Sequence, residues 1–151
     1  MPVQSLAVLL QGTLHWTSSS GRAVLDALAA CGGVYGTAQF FAARLGLRDR
    51  HQLARVLTRE GLPPLEELAA WVRAIAWVMH SEQYRTPLYR LAKHAQLDPA
   101  TCYRSVRRLT GANWGDVRER GVAWMLQQLR DRCPKRHYGD SSSRAPNASA
   151  R

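Results

Sequence analysis

The chain has 151 residues, 46% of them hydrophobic, which suits one compact domain or two very small lobes sharing a helix. Its 21 Lys and Arg against 11 Asp and Glu give a net charge of +10 and a pI near 10.5, an excess that favours a polyanionic partner, nucleic acid or an acidic membrane surface. Three scattered cysteines (Cys31, Cys102, Cys133) read as reduced thiols without zinc-ligand spacing, and no stretch approaches the ~18–20 apolar residues of a membrane span.

Residues 1–20 are the least readable. Ser5–Leu10 suits a strand or a short helix, lacks the basic start of a signal peptide, and is followed by breaks at Gly12 and Ser18-Ser19-Ser20-Gly21. From Arg22 to Cys31 the alanine- and leucine-rich run predicts a helix stopped by Gly32-Gly33. Thr37 caps a second helix that ends near Leu45 and Gly46. Asp49 caps a third, with Gln52 completing a capping-box pattern; Leu53, Val56 and Leu57 share its buried face, and Gly61 ends it. Pro63-Pro64 open a long fourth helix to about Glu82, with Glu66 and Glu67 in its first turn and Leu65, Leu68, Val72, Ile75 and Val78 or Met79 along one stripe.

A fifth helix is predicted from Leu88 to Ala95, with Leu91 and Ala92 inward. Asp98-Pro99 start a sixth that runs to Leu109 or Thr110, with Cys102, Val106 and Leu109 buried, and Gly111 ends it. The seventh runs from Trp114 or Gly115 to about Arg132, where Pro134 stops it. The polar tail 134–151 is expected to be unstructured. The reading is all-α: seven helices, a lead-in at 1–20, a first lobe with its linker helix at 21–82, and a second lobe at 83–133.

This organisation contains a duplication. Phe41–Met79 and Tyr89–Leu126 carry one pattern twice, at an offset of 50 from Ala42 to Gly61. The offset falls to 47 in the closing phrases, Arg73-Ala74-Ile75-Ala76-Trp77-Val78-Met79 and Arg120-Gly121-Val122-Ala123-Trp124-Met125-Leu126. Each copy reads as a helix–turn–helix whose second helix is basic outside. The first offers Arg50, His51, Ala54, Arg55, Thr58 and Arg59; the second offers Ala100, Thr101, Arg104, Ser105, Arg107 and Arg108. Arginines can chelate guanine edges, and small residues permit close approach in a major groove. A face that merely solvated a helix would mix Glu with Lys. Arg107 and Arg108 are adjacent and cannot both face the same way. Trp77 and Trp124 occupy matching places, where core packing is favoured over base stacking by their apolar neighbours. The five histidines are dispersed, and no catalytic motif, cofactor signature or metal pattern occurs, so a non-enzyme is expected.

Ala42-x-x-Leu45-Gly46-Leu47, Leu53-Ala54-Arg55-Val56-Leu57, Gly61-Leu62-Pro63-Pro64-Leu65 and Arg73-x-x-Ala76 resemble the DNA-binding domain of AraC/XylS-type transcription regulators over about Arg22–Arg132. The resemblance implies that the third and sixth helices read adjacent major-groove segments, and it points to Arg50, His51, Ala54 and Arg55 and to Ala100, Thr101, Arg104 and Ser105. The chain departs from the pattern at Arg48, which lengthens the first turn, at Gln96, where glycine is usual, and at Arg107, where a core residue is usual. The family's usual sensing or dimerisation domain is not expected among these residues, since the first 20 are too few to form it. The expectation is a cytoplasmic, nucleoid-associated, sequence-specific regulator that binds double-stranded DNA as a monomer without cofactor, with RNA polymerase a further partner. The alternatives are an adaptor that docks an acidic protein and a non-specific nucleic-acid binder.

Overall fold

The computed structural model describes residues 3–133; the tail expected to be unstructured lies outside them. The described residues form eight helices and no strand: α1 (Val3–Thr13), α2 (Ser19–Ala30), α3 (Ala38–Arg44), α4 (Arg50–Arg59), α5 (Leu65–Tyr84), α6 (Leu88–His94), α7 (Pro99–Thr110) and α8 (Trp114–Arg132). The all-α expectation holds, but the count of seven is corrected to eight. The additional helix is α1, in the segment the sequence left open. Leu6, Leu10 and Leu14 recur at helical spacing and are all buried, and α1 packs on α2 and α8.

The serine run before Gly21 is also not a break. Ser18 is the N-cap of α2, and Gly21 lies inside the helix. Glycine is needed there because a Cβ would come within 2.5 Å of Glu60 Oε1 and 2.8 Å of Thr17 Cβ. At the other end of α2, Gly33 has φ +80, and a Cβ would meet the Ala69 carbonyl oxygen at 2.5 Å. Arg73 donates to the Gly33 carbonyl at 3.0 Å, which presses the α2–α3 connection onto α5.

One apolar cluster runs through all eight helices. Its axis is α5, where Leu68, Val72, Ile75 and Val78 are fully buried and the predicted stripe is realised. α5 packs most extensively on α8. The two run antiparallel: Glu67 near the start of α5 pairs with Arg132 at the end of α8 at 2.9 Å, while Glu82 near the end of α5 reaches Val122 in the middle of α8.

The sequence suggested one continuous last helix; the backbone breaks at Gly121, with φ 87 and ψ −179. That region is essentially restricted to glycine. The carboxylate of Glu82 accepts the Val122 N–H at 3.2 Å, satisfying a donor that the break frees from the helical ladder. Ala74, the equivalent residue in the first closing phrase, continues α5 without interruption.

Candidate nucleic-acid interface

α3–α4 and α6–α7 are two helix–turn–helix units built on one local plan. Each first helix closes through a left-handed residue, Gly46 (φ 78) in one and Gln96 (φ 58) in the other. In both, the next N–H returns to the helix: Leu47 to the Ala42 carbonyl at 2.9 Å and Leu97 to the Ala92 carbonyl at 2.8 Å. Gln96 therefore takes the conformation that the missing glycine would have taken, at a cost of about 1 kcal/mol.

Beyond the turns the two units slip by one residue. Arg48 separates Leu47 from its cap Asp49, whereas Leu97 is followed directly by its cap Asp98. Asp49 accepts the Gln52 N–H at 2.9 Å, and Asp98 accepts the Thr101 N–H at 3.1 Å and its hydroxyl at 2.9 Å. The bond from Gln52 N–H, with Arg48 and His51 close by, holds the Asp49 carboxyl below the usual carboxylate range despite some desolvation. The expected capping box is displaced: Gln52 Oε1 accepts from the Arg48 N–H at 2.7 Å, one residue ahead of the cap.

The offset is thus 50 up to the turn and 49 through the second helices. Leu53, Val56 and Leu57 match Cys102, Ser105 and Val106, and all six are buried. The offset returns to 50 at Gly61 and Gly111, which end the two helices with φ 73 and 75. This register places Val106 in the core and leaves Arg107 exposed.

Eleven of the twelve sequence-predicted contact residues are exposed: Arg50, His51, Ala54, Arg55, Thr58 and Arg59 on α4, and Ala100, Thr101, Arg104, Arg107 and Arg108 on α7. Ser105 is the correction. It is 8% exposed, because it stands three residues from Cys102 on the inner face, in the station of Val56. It cannot reach a ligand on the outer face. Leu109, expected in the core, is only half-buried.

Tyr103 was missed. It occupies Ala54's station on α7 and is 40% exposed. Counting from cap to cap, Asp49 to Asp98, would have found it.

The outer faces are electrostatically one-sided. Ala38–Arg59 and Leu88–Thr110 each contain five Lys or Arg and a single acid, and that acid is the N-cap aspartate. On α7 the side chains are organised further. Arg104 Nη2 donates to the Thr101 hydroxyl at 3.2 Å, and that hydroxyl donates to Asp98. Of the adjacent arginines, Arg108 lines a cleft with Pro64, Glu66, Glu67 and Arg132 at the start of α5; Arg107 does not line it.

α4 is fixed from behind by a contact that spans much of the sequence. Glu60, just past its last turn, is 8% exposed and accepts the Ser18 N–H at 2.8 Å and the Ser18 hydroxyl. Its carboxylate thus caps α2, whose own cap residue makes no side-chain cap bond. Trp16 Nε1 donates to the Glu60 carbonyl at 2.8 Å, so both ends of the α1–α2 corner hold the end of α4.

The paired tryptophans lie under arginines of their own helices. The Arg73 guanidinium is 5.9 Å from the Trp77 ring centroid and that of Arg120 is 4.9 Å from Trp124. Trp77 is buried and Trp124 half-buried, an arrangement of packing rather than of open stacking platforms. Trp71 and Trp114 are buried too.

Among the described residues no three His, Cys, Asp or Glu side chains cluster so as to hold a metal, and no helix is long and apolar enough to cross a membrane. Burial, with Glu67 nearby, pushes the Cys133 thiol up to about 12, and burial also raises Cys102.

Compared with known proteins, the chain matches no family model, no curated protein and no solved structure. The likeness to AraC-type domains therefore rests on the residues above.

Proposed function

We propose that the protein is a sequence-specific double-stranded DNA-binding transcription regulator that reads two adjacent major-groove segments with α4 and α7. One observation carries this reading. Two helix–turn–helix units with matching buried faces each present a second helix whose outer side is basic, contains small residues, and has no acid beyond its cap. Arginines and helix N-termini neutralise phosphates and release counterions, while side chains of the two outer faces inspect bases. Arg55 and Arg104 hold matching stations and are the principal guanine-reading candidates.

Both heads lie on one chain, so a monomer suffices, and a site of two blocks centred about 10 bp apart is expected. RNA polymerase is a natural further partner for such a regulator. The test is selection from a random duplex library. An enriched two-block motif, bound about a thousandfold more tightly than random duplex, is the expected result. Binding without an enriched motif would replace the proposal with non-specific nucleic-acid binding. No duplex binding at all, with capture of an acidic protein instead, would replace it with the adaptor reading.

A further inference from the structure

The first turns of α4 and α7 use their polar side chains differently. In α4 they are spent on nearby backbone. Gln52 Oε1 accepts the Arg48 N–H at 2.7 Å, Gln39 of α3 accepts the Arg50 N–H at 3.3 Å, and Asp49 accepts the Gln52 N–H at 2.9 Å. Arg55, on the same side of the helix as Gln52, is exposed and has no hydrogen-bond or ion-pair partner among the described residues.

In α7 the station of Gln52 is held by Thr101. Its N–H and its hydroxyl both donate to Asp98 Oδ2, at 3.1 and 2.9 Å. The same hydroxyl oxygen accepts from Arg104 Nη2 at 3.2 Å. The result is a chain from guanidinium to hydroxyl to carboxylate, charged at both ends. A hydroxyl whose proton is drawn to a carboxylate accepts more strongly, so the two bonds reinforce each other. The chain also sets a direction. Thr101 lies one turn before Arg104, so the guanidinium is drawn back toward the start of α7, the end of a groove-bound helix that meets base edges. Further guanidinium N–H groups remain for the O6 and N7 edge of guanine. Thr101 spends its only hydroxyl proton on Asp98 and has no side-chain donor left for a base.

We propose that Thr101 is a positioning residue, which holds Arg104 ready for guanine before DNA arrives, whereas Arg55 is ordered only on binding. The guanine role rests on the DNA-binding reading; the hold on Arg104 does not. Ordering a long side chain opposes association, and a side chain set in advance avoids that cost. A held guanidinium is also less able to swing to a phosphate when guanine is replaced, so the wrong base leaves it unpaired.

The experiment has two arms. In the first, without DNA, nitrogen relaxation of the arginine Nε groups is measured on the full chain. Arg104 should be more ordered than Arg55. Thr101→Val should lower Arg104 to the level of Arg55, and Thr101→Ser should keep it ordered. Circular dichroism should not change, because the backbone N–H of residue 101 still meets Asp98 in both variants. Should Thr101→Val misfold, Thr101→Ala takes its place, and the wild-type contrast between Arg104 and Arg55 remains a readout. In the second arm, the guanine whose discrimination is lost in Arg104→Ala is replaced by adenine in a selected duplex. Thr101→Val should reduce the discrimination at that guanine about three- to tenfold, and Thr101→Ser should restore it to within about twofold of wild type. Discrimination at the guanine that depends on Arg55 should stay the same in both variants.

Equal order at Arg104 and Arg55 in the wild type, or an Arg104 that Thr101→Val leaves ordered, would overturn the hold. A Thr101→Val that loosens Arg104 but keeps its discrimination, or weakens all sequences equally, would overturn the guanine role. Absence of any preferred duplex would remove the guanine role together with the DNA-binding reading, and the first arm would still decide the hold.

Discussion

Replacing Glu60 tests whether the end of α4 is held by the α1–α2 corner. The carboxylate accepts two hydrogen bonds from Ser18, at the start of a twelve-residue helix that has no cap bond of its own. Hydrogen bonds to a charged group contribute about 1.5–3 kcal/mol each, but Ser18 is exposed and water replaces part of the loss. Removing an N-cap acceptor costs about 1 kcal/mol. Glu60→Ala should therefore destabilise the fold by about 2–3 kcal/mol, a fall in Tm of about 6–9 °C for a chain this size. Glu60→Gln keeps the volume and one acceptor and should lose about 1 kcal/mol. Urea denaturation followed by circular dichroism gives both values. On DNA, footprinting of Glu60→Ala at a temperature where it remains folded should show protection weakened over the α4 block and retained over the α7 block. An Ala variant within about 0.5 kcal/mol of wild type would refute the capping role. Equal weakening of both blocks would refute the local tie to α4.

Arg55→Ala and Arg104→Ala should each damage only one block of the bound site, by about 1–3 kcal/mol; loss spread evenly over both blocks would show that these arginines only hold phosphate. Tyr103→Ala gives α7 the small residue that α4 has at Ala54, and should alter base preference within the second block while the salt dependence of binding stays the same; a changed salt slope alone would contradict this. Gly121→Ala forces a side chain into a glycine-only conformation and to within 2.9 Å of Glu82 Oε2. A loss of about 2 kcal/mol or more is expected in urea unfolding, and a neutral substitution would show that α8 can run straight. Iodoacetamide at pH 8 should label half-buried Cys31 first. Cys133, held protonated with its pKa near 12, and buried Cys102 should react only on unfolding, which mass spectrometry of quenched samples would show.

The helices from Thr37 onward were legible because their boundaries are local chemistry. Asp49, Asp98, Pro64 and Gly111 each act on the nearest backbone groups, and the apolar stripes follow one helix at a time. The misreadings come from contacts distant in sequence. Ser18–Gly21 looks like a linker until Glu60, from the far end of α4, supplies the missing acceptor and requires a glycine beside it. Gly121 looks like one more residue of the last helix until Glu82 of α5 receives the freed Val122 N–H. Ser105 and Tyr103 were misjudged for a smaller reason: the extra Arg48 shifts which residues of α4 and α7 correspond. The matched caps carried that information, but the matched glycines, at an offset of 50, hid it.

The one-residue slip sets a rule for anyone who exchanges the outer faces of α4 and α7. A transplant aligned on the helix-ending glycines would place the α4 residue Arg55 at the buried position of Ser105, driving a guanidinium into the core. The same transplant aligned on the capping aspartates would place it at Arg104, and would put the alanine of position 54 where Tyr103 stands. Two chimaeras differing by a single residue of register would then separate a folded chain from an unfolded one. The inserted Arg48 and the longer α7 make the two halves interchangeable in parts, but not as blocks.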